Sequence, residues 1–269
     1  MKLVDRGGGT PLVVIPGIQG RWEWMAPAID ALAQRCRVIT FSLADEPSCG
    51  ARFDPARGFE CYVEQVRDAL DQSGLDRACI CGVSYGGLIA AAFAARYPDR
   101  AASLVLVSAL PPAWTPDRRV TFYLRAPRLL TPLFLFASVR LYGEIAAANP
   151  GVWRGAAAAL RFAWRAATHR FSPRRMARRI RLLAAVNLRD ELARLTLPAL
   201  VITGDAALDR VVPVERTRDY ARLWPGVRVE TIARSGHLGS ITRPGVFAGL
   251  IVPFAERADR DTAPRRRVG

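Results

Sequence analysis

Residues 81–87 read Cys-Gly-Val-Ser-Tyr-Gly-Gly, and their neighbours decide how the rest of the chain is interpreted. The apolar run of residues 78–81 predicts a short buried strand, and the alanine-rich run of residues 88–95 predicts a helix. A Gly-x-Ser-x-Gly pattern between a strand and a helix is typical of a sharp turn that presents its serine at the carboxyl end of a sheet. The pattern therefore predicts that Ser84 is a nucleophile, with the first N–H groups of the helix beside it.

The composition favours one large folded core and excludes several partner classes. The 269 residues are 51% hydrophobic, which suffices for one core, alone or with an inserted subdomain. The net charge of +15 is not accompanied by a zinc-finger, helix-turn-helix or RNA-binding motif, so we expect no nucleic-acid partner. The two histidines and the five cysteines do not form the pattern of a typical zinc site. We therefore expect no metal and no cofactor.

The cysteines and the first residues of the chain bear on its location. The number of cysteines is odd, and Cys79 and Cys81 lie inside a predicted strand, which favours free thiols in a reducing compartment. Residues 1–9 contain no apolar segment of the kind that a signal peptide needs. No apolar stretch approaches the roughly 20 residues that span a bilayer. We therefore expect a cytoplasmic protein.

Strand and helix patterns alternate at both ends of the chain. This alternation predicts an α/β fold with a mostly parallel sheet flanked by helices. Residues 111–195 show helical patterns only, and we interpret them as an all-helical cap inserted into a core of residues 1–110 and 196–258. The charged residues 259–269 are predicted to form a disordered basic tail. The predicted strands are residues 12–15, 37–41, 78–81, 102–108, 199–203 and 227–232.

A serine nucleophile needs a base, and the base needs an acid that orients it. His237 follows the last predicted strand in a glycine-flanked loop, where open α/β sheets place their sites, so it is the candidate base. The other histidine, His169, lies in the arginine-rich part of the cap and is interpreted as a surface or helix-capping residue. Asp205 and Asp209 both follow the strand of residues 199–203, and the pattern leaves both open as the acid.

The same chemistry needs N–H donors for the oxyanion that forms during the reaction. One donor is expected to be the backbone N–H of Tyr85, because it follows the nucleophile. The second is expected in the glycine-rich turn of residues 16–20, where Ile18 is the first candidate and Gln19 the second.

These elements together resemble the α/β-hydrolase superfamily, and they look most like its cap-bearing bacterial serine hydrolases of the esterase and lipase type. The resemblance covers about residues 12–257 and implies that Ser84, Asp209 and His237 form a catalytic triad. It favours Asp209 because the spacing to Pro213 matches the family pattern, although Ala207 stands where family members commonly carry the acid. The motifs that carry it are residues 16–20, 82–87, 209–213 and 236–237.

The resemblance implies an enzyme that cleaves a carboxylic ester or related acyl bond of a small, apolar substrate through an acyl-enzyme. Transfer of the acyl group to another acceptor, cofactor-free peroxidation and a non-catalytic ligand- or membrane-binding role stay open. The chain departs from the family pattern at Pro16, where many relatives have histidine, and in the loop of residues 42–47. It also begins close to its first core strand, so edge strands are expected to be missing or reduced to residues 2–4.

The cap holds two features whose role the sequence leaves open, and the oligomeric state is not predicted. An arginine cluster within residues 174–181 is expected to face solvent or to contact an anionic membrane; it comprises Arg174, Arg175, Arg178, Arg179 and Arg181. Apolar side chains of the cap are candidates for an acyl-chain pocket, and these are Phe122, Tyr123, Leu129, Leu130, Leu133, Phe134, Phe136, Trp153, Phe162 and Trp164.

Overall fold

The structure is a computed structural model, and it describes residues 1–132, 141–224 and 227–262. In this part of the chain, seven strands form one sheet. Every strand that the sequence predicts is present, and one edge strand is added at the start of the chain. The strands are β1 (Leu3–Arg6), β2 (Thr10–Ile15), β3 (Cys36–Phe41), β4 (Ala78–Val83), β5 (Ala101–Val107), β6 (Ala199–Gly204) and β7 (Arg228–Ile232).

The sheet is parallel except at one edge. Its strand order is β1-β3-β2-β4-β5-β6-β7, and only β1 runs antiparallel to its neighbour, β3. The connection after β2 leads to β3, toward one edge of the sheet. The connection after β4 leads to β5, toward the opposite edge. Open α/β sheets bind ligands beyond the carboxyl ends of the strands where the direction changes in this way. The ends of β2 and β4 are therefore the expected place for a site.

Helices cover both faces of the sheet and form the segment between β5 and β6. The helices in the described residues are α1 (Ala26–Leu32), α2 (Glu60–Gln72), α3 (Tyr85–Arg96), α4 (Arg118–Arg125), α5 (Tyr142–Ala148), α6 (Val152–Thr168), α7 (Pro173–Leu182), α8 (Arg189–Ala193), α9 (Val214–Thr217), α10 (Asp219–Leu223), α11 (Gly239–Thr242) and α12 (Pro244–Thr262).

The core has one apolar layer on each side of the sheet, because successive side chains of a strand point to opposite faces. In β2, Val13 and Ile15 pack into the layer formed with α2 and α3. Leu12 and Val14 pack into the layer formed with α1 and α12. All residues of β4 and β5 are buried, as expected for central strands of a parallel sheet. The mostly parallel α/β fold predicted from the sequence is confirmed.

The cap, helices α4–α8, occupies the segment that the sequence predicts to be helical. It packs on the core at Trp24, whose indole N–H donates to the His169 carbonyl at 3.0 Å and whose ring contacts Phe162 with centroids 5.6 Å apart. His169 ends α6, where its N–H donates to the Arg165 carbonyl, so it is a helix-capping residue as predicted.

Several predicted pocket residues lie on the outer surface of the cap instead. Trp153, Trp164 and Leu129 are 87%, 71% and 80% exposed, and Phe122 is exposed too. The candidates Leu133, Phe134 and Phe136 fall outside the described residues.

The expectation that all five clustered arginines face solvent is wrong. Arg179 is 0% exposed, and Arg175 donates from Nε to the buried Glu46 at 3.0 Å. The cause is an acidic pair in the core, Asp45 and Glu46, which neutralises the inner side of α7. A contact with an anionic membrane would therefore rest on the exposed members of the cluster, which are Arg174, Arg178 and Arg181.

The chain end also differs from the prediction. Helix α12 continues to Thr262, so residues 259–262 are helical rather than the beginning of a disordered tail. Ala255 and Ala258 are buried against the core, and the charged residues around them form the outer face of the helix. Residues 263–269 lie outside the described part of the chain. No described helix combines the length and apolar character needed to cross a membrane.

Candidate active site

Ser84 occupies the turn between β4 and α3 in a conformation that few residues adopt. Its φ of 55° and ψ of −118° lie in a sparsely populated region for a residue with a side chain. The turn is held by the Ser84 N–H, which donates to the Val107 carbonyl at 2.9 Å. Gly82 is required here, since a Cβ at this position would lie 2.2 Å from the Gly86 carbonyl oxygen. The strand, turn and helix predicted around Ser84 are all present.

The oxyanion turn, residues 17–20, follows β2 and lies against Ser84. A Cβ added to Gly17 would lie 3.5 Å from the Ser84 Cβ, and the Gly20 N–H closes the turn on the Gly17 carbonyl at 2.9 Å. Among the described residues, the Ile18 N–H donates to no other group. The two predicted donors, Ile18 and Tyr85, therefore follow neighbouring strands at the point where the sheet connections change direction.

The histidine loop, residues 233–239, brings His237 to Asp209. The His237 Nδ1 lies 3.4 Å from the Asp209 Oδ2, which is longer than the roughly 2.9 Å of a formed hydrogen bond. In free enzymes, hydrogen bonds between catalytic groups are often long and shorten when substrate binds. The loops approach closely because residue 236 is glycine; a Cβ there would lie 2.6 Å from the Asp209 nitrogen. With Nδ1 on the aspartate side, the other ring nitrogen, Nε2, makes no contact with Asp209.

Asp209 is buried, yet its environment favours the charged carboxylate. Its Oδ1 accepts from the N–H groups of Val211 and Val212 at 2.9 and 3.0 Å. Burial acts to raise the pKa of Asp209, but the interaction with His237 and these two N–H groups outweigh it and lower the pKa below its ordinary value. Asp209 is thus ionised at neutral pH and oriented toward the imidazole.

Asp205, the alternative acid, uses its carboxylate differently. Its Oδ2 accepts from the Arg234 N–H at 2.5 Å, and its own N–H donates to the Ser235 carbonyl at 2.6 Å. These bonds fasten the histidine loop to the end of β6 and support Arg234, whose φ is 58°. Of the two carboxylates left open by the sequence, Asp209 is the one that faces His237.

Glu144 on α5 is a residue that sequence reasoning missed. It is 1% exposed, and its Oε1 accepts from the Leu238 N–H at 2.5 Å and from the Ser235 hydroxyl at 3.2 Å. Burial raises the pKa of Glu144, although the Leu238 and Gly236 N–H groups and the charge of His237 act against this. No local motif marks the residue, because its partners lie about 90 residues further along the chain.

Arg179 on α7 was predicted only as one member of an exposed cluster. Its Nη1 donates to the Ile18 carbonyl at 2.7 Å, and its Nη2 donates to the Asp45 Oδ1 and the Glu46 Oε1, each at 2.6 Å. The one available signal was the Asp45-Glu46 pair in a loop that departs from the family pattern. Glu144 and Arg179 both reach from the cap to the loops of the candidate site.

Two clefts on the protein surface lie outside the candidate site. A cleft of about 490 Å³ lies between α3 and α8, and one of about 200 Å³ lies beside Met1 and α2. Neither is lined by Ser84, Asp209 or His237. Within the described part of the chain, no cluster of histidine, cysteine and carboxylate side chains has the arrangement of a metal site.

A family model described as the alpha/beta hydrolase fold matches residues 10–244, which is most of the chain. The chain belongs to the α/β-hydrolase family. The resemblance inferred from the four sequence motifs is therefore confirmed, and the chain is an enzyme of this superfamily.

Its relatives are bacterial hydrolases. RutD of Azorhizobium caulinodans, which is provisionally named a carbamate hydrolase, is 27% identical over 94% of this chain and 94% of its own. A poly(3-hydroxyalkanoate) depolymerase of Ectopseudomonas oleovorans is 27% identical over 92% of this chain and 85% of its own. The enol-lactonase structure from Burkholderia xenovorans has the same fold, with a TM-score of 0.75 and 21% identity over 94% of this chain and 95% of that one.

Proposed function

We propose that this α/β-hydrolase is a serine hydrolase that cleaves an ester or related acyl bond through an acyl-enzyme. The observation that carries the proposal is the contact of His237 with the ionised Asp209, at the edge of the sheet where Ser84 stands in its strained turn. A serine, an acid and a histidine in this chain order are the set that acyl transfer requires in this fold.

In the first half of the reaction, the Ser84 hydroxyl oxygen attacks the carbonyl carbon of the substrate. The hydroxyl proton passes to Nε2 of His237, and the charged Asp209 stabilises the imidazolium that forms. The bond to the leaving group then breaks, and the leaving oxygen takes the proton from Nε2. The products of this half are a free alcohol and an acyl group on Ser84.

In the second half, water attacks the acyl carbon and gives its proton to His237. The carbon–oxygen bond to Ser84 breaks, the serine recovers the proton, and a carboxylic acid leaves. The carbonyl oxygen becomes negative in both halves, and the N–H groups of Ile18 and Tyr85 are the proposed donors to it. One such donor typically stabilises a transition state by about 3 kcal/mol.

We propose small, apolar esters as the main substrate class, with lactones and carbamates as close alternatives. The names of the relatives refer to a carbamate and to a poly(3-hydroxyalkanoate). Both contain an acyl carbon bonded to a heteroatom, so the same serine chemistry applies to both. Carbamate cleavage is the second candidate, and it differs only in the acyl and leaving groups.

A panel of substrates tests the proposal. It contains p-nitrophenyl esters of increasing acyl length, a lactone and an aryl carbamate, each assayed with the wild-type protein and with Ser84→Ala. We expect turnover by the wild type, with a preference within the panel that identifies the acyl group. We expect Ser84→Ala to lower kcat by about 10⁶-fold, as loss of a serine nucleophile does elsewhere.

Two outcomes would overturn the proposal. One is a folded wild-type protein that turns over no member of the panel. The other is a Ser84→Ala variant that keeps more than a small fraction of the wild-type rate. An added alcohol that captures the acyl group in preference to water would identify a transferase rather than a hydrolase.

A further inference from the structure

Two buried and oppositely charged side chains of the cap reach the loops that carry the proposed catalytic groups. Arg179 on α7 and Glu144 on α5 are 0% and 1% exposed. Burying a charge is unfavourable unless the charge is paired and hydrogen-bonded. The partners of these two side chains therefore indicate the role of the buried groups. Most of these partners belong to the oxyanion turn and the histidine loop.

Arg179 contacts the oxyanion turn through its guanidinium group. Its Nη1 donates to the carbonyl of Ile18, and this carbonyl shares a planar peptide unit with the N–H of Gln19, beside the proposed donor Ile18. The same guanidinium is itself fixed by Asp45, which accepts from Nε at 3.0 Å and from Nη2 at 2.6 Å. Such a two-pronged contact sets orientation as well as charge.

The guanidinium of Arg179 also fills the space beside Gly20, at the end of the turn. A Cβ on Gly20 would lie 2.3 Å from its atoms, so the turn and the guanidinium are in direct contact. The Gly20 carbonyl accepts from the Leu43 N–H at 2.7 Å, which ties the turn to the loop that carries Asp45. Arg179 thus joins three segments: the cap, the acidic loop and the oxyanion turn.

Glu144 holds the histidine loop on both sides of His237. Its Oε1 accepts from the N–H of Leu238, the residue after the histidine, and from the hydroxyl of Ser235, two residues before it. The Ser235 side chain is fully buried. One cap carboxylate oxygen therefore fixes the backbone that presents the imidazole.

We propose that Arg179 and Glu144 are positioning residues through which the cap holds the oxyanion turn and the histidine loop in place around Ser84. This inference rests on the function proposed above and extends it, because it makes the cap part of the catalytic arrangement. A misplacement of about 1 Å in such groups can cost about 100-fold in rate. Their loss should lower kcat on every substrate, whereas a cap residue that binds substrate would change KM according to the acyl group.

The test compares conservative variants with matched controls. Glu144→Met is close in size but removes the oxygen that accepts from the Leu238 N–H and the Ser235 hydroxyl. Arg179→Lys keeps the charge but cannot contact the Ile18 carbonyl and Asp45 in the same way. Glu191→Gln is the control for a cap anchor, since Glu191 pairs with Arg96 of α3 and touches neither loop. Arg174→Lys is the control for the helix, since Arg174 is an exposed residue of α7.

The measurements are kcat and KM for three esters of different acyl length, made on protein whose folding is checked by thermal unfolding. We expect Arg179→Lys to lower kcat by about 100-fold, within the 10²–10³-fold that loss of one oxyanion donor costs. We expect Glu144→Met to lower kcat by at least about tenfold. In both variants KM should stay within about twofold on all three esters, and both controls should keep the wild-type kcat.

A folded Glu144→Met variant with wild-type kcat would overturn the inference, and so would KM changes that follow acyl length. If Arg179→Lys does not fold, Glu144→Met decides. A wild-type protein that turns over no member of the substrate panel contradicts the proposed function itself. A wild-type protein that is active, with variants that match the controls, contradicts the role of the cap residues alone.

Discussion

The core and the cap of this enzyme differ in how completely they are buried and in how they reach the candidate site. The central strands of the core are buried along their whole length, and their side chains pack into two apolar layers. The cap leaves large side chains such as Trp153 and Trp164 exposed. It reaches the loops of the candidate site through two buried charges, Arg179 and Glu144. Apolar packing thus fixes the strand ends, while directional polar contacts connect the cap to the loops beyond them.

This difference indicates which part of the molecule carries the proposed reacting groups and which part positions the loops around them. Ser84, Asp209 and His237 each follow a strand of the core, so the core delivers the proposed reacting groups. The cap contributes the contacts that hold the loop of His237 and the turn of Ile18, the proposed oxyanion donor. The predictions below separate the two contributions.

Among the substitutions that compare the core with the cap, the largest effect is expected for the proposed acid of the core. Asp209→Asn should lower kcat by about 10⁴-fold, because an uncharged amide neither stabilises the imidazolium nor enforces the correct tautomer of His237. Asp205→Asn is the matched control, and it should cost less than about tenfold, since an amide oxygen can still accept from the Arg234 N–H. Steady-state kinetics on one ester decide between them. A greater loss in Asp205→Asn would move the acid to that residue.

A smaller effect, on stability, is expected at the turn that carries the nucleophile. Gly82→Ala should lower the free energy of unfolding by about 3 kcal/mol, because its Cβ would lie 2.2 Å from backbone atoms that cannot move aside. Urea unfolding of the purified variant measures this. An unfolding free energy equal to that of the wild type would mean that β4 and α3 are not packed as described.

The smallest effect is expected for the equivalent change in the cap. Gly155 lies within α6, and a Cβ there would meet its nearest atom at an ordinary distance of 3.7 Å. Gly155→Ala should therefore raise the free energy of unfolding by about 0.5–1 kcal/mol, the usual gain for this change inside a helix. The same urea experiment measures it, and a loss like that of Gly82→Ala would remove the contrast between cap and core.

The core could be predicted from the sequence because its signals are local. Each strand is a short apolar run, and each predicted catalytic residue stands in the turn or loop that follows such a run. The sequence left Asp205 and Asp209 open because both follow β6. Only the spatial approach of the loops, which residue 236 permits by lacking a Cβ, shows which carboxylate faces His237.

The contacts of the cap could not be predicted because they are distant in sequence. Arg179 and Asp45 are separated by 134 residues, and Glu144 and Leu238 by 94. A run of arginines is typical of a solvated helix face, and nothing in the run itself distinguishes the buried Arg179 from the exposed Arg178. The acidic pair in the core makes that distinction, and the fold brings it to α7.

Covalent labelling tests the central claim most directly. The wild-type protein is treated with a fluorophosphonate, digested, and analysed by mass spectrometry to locate the modified residue. We predict one phosphonyl group per chain on Ser84, and a marked slowing of labelling in Asp209→Asn. A folded wild-type protein that is not labelled, or is labelled at another residue, would contradict the assignment of Ser84 as the nucleophile.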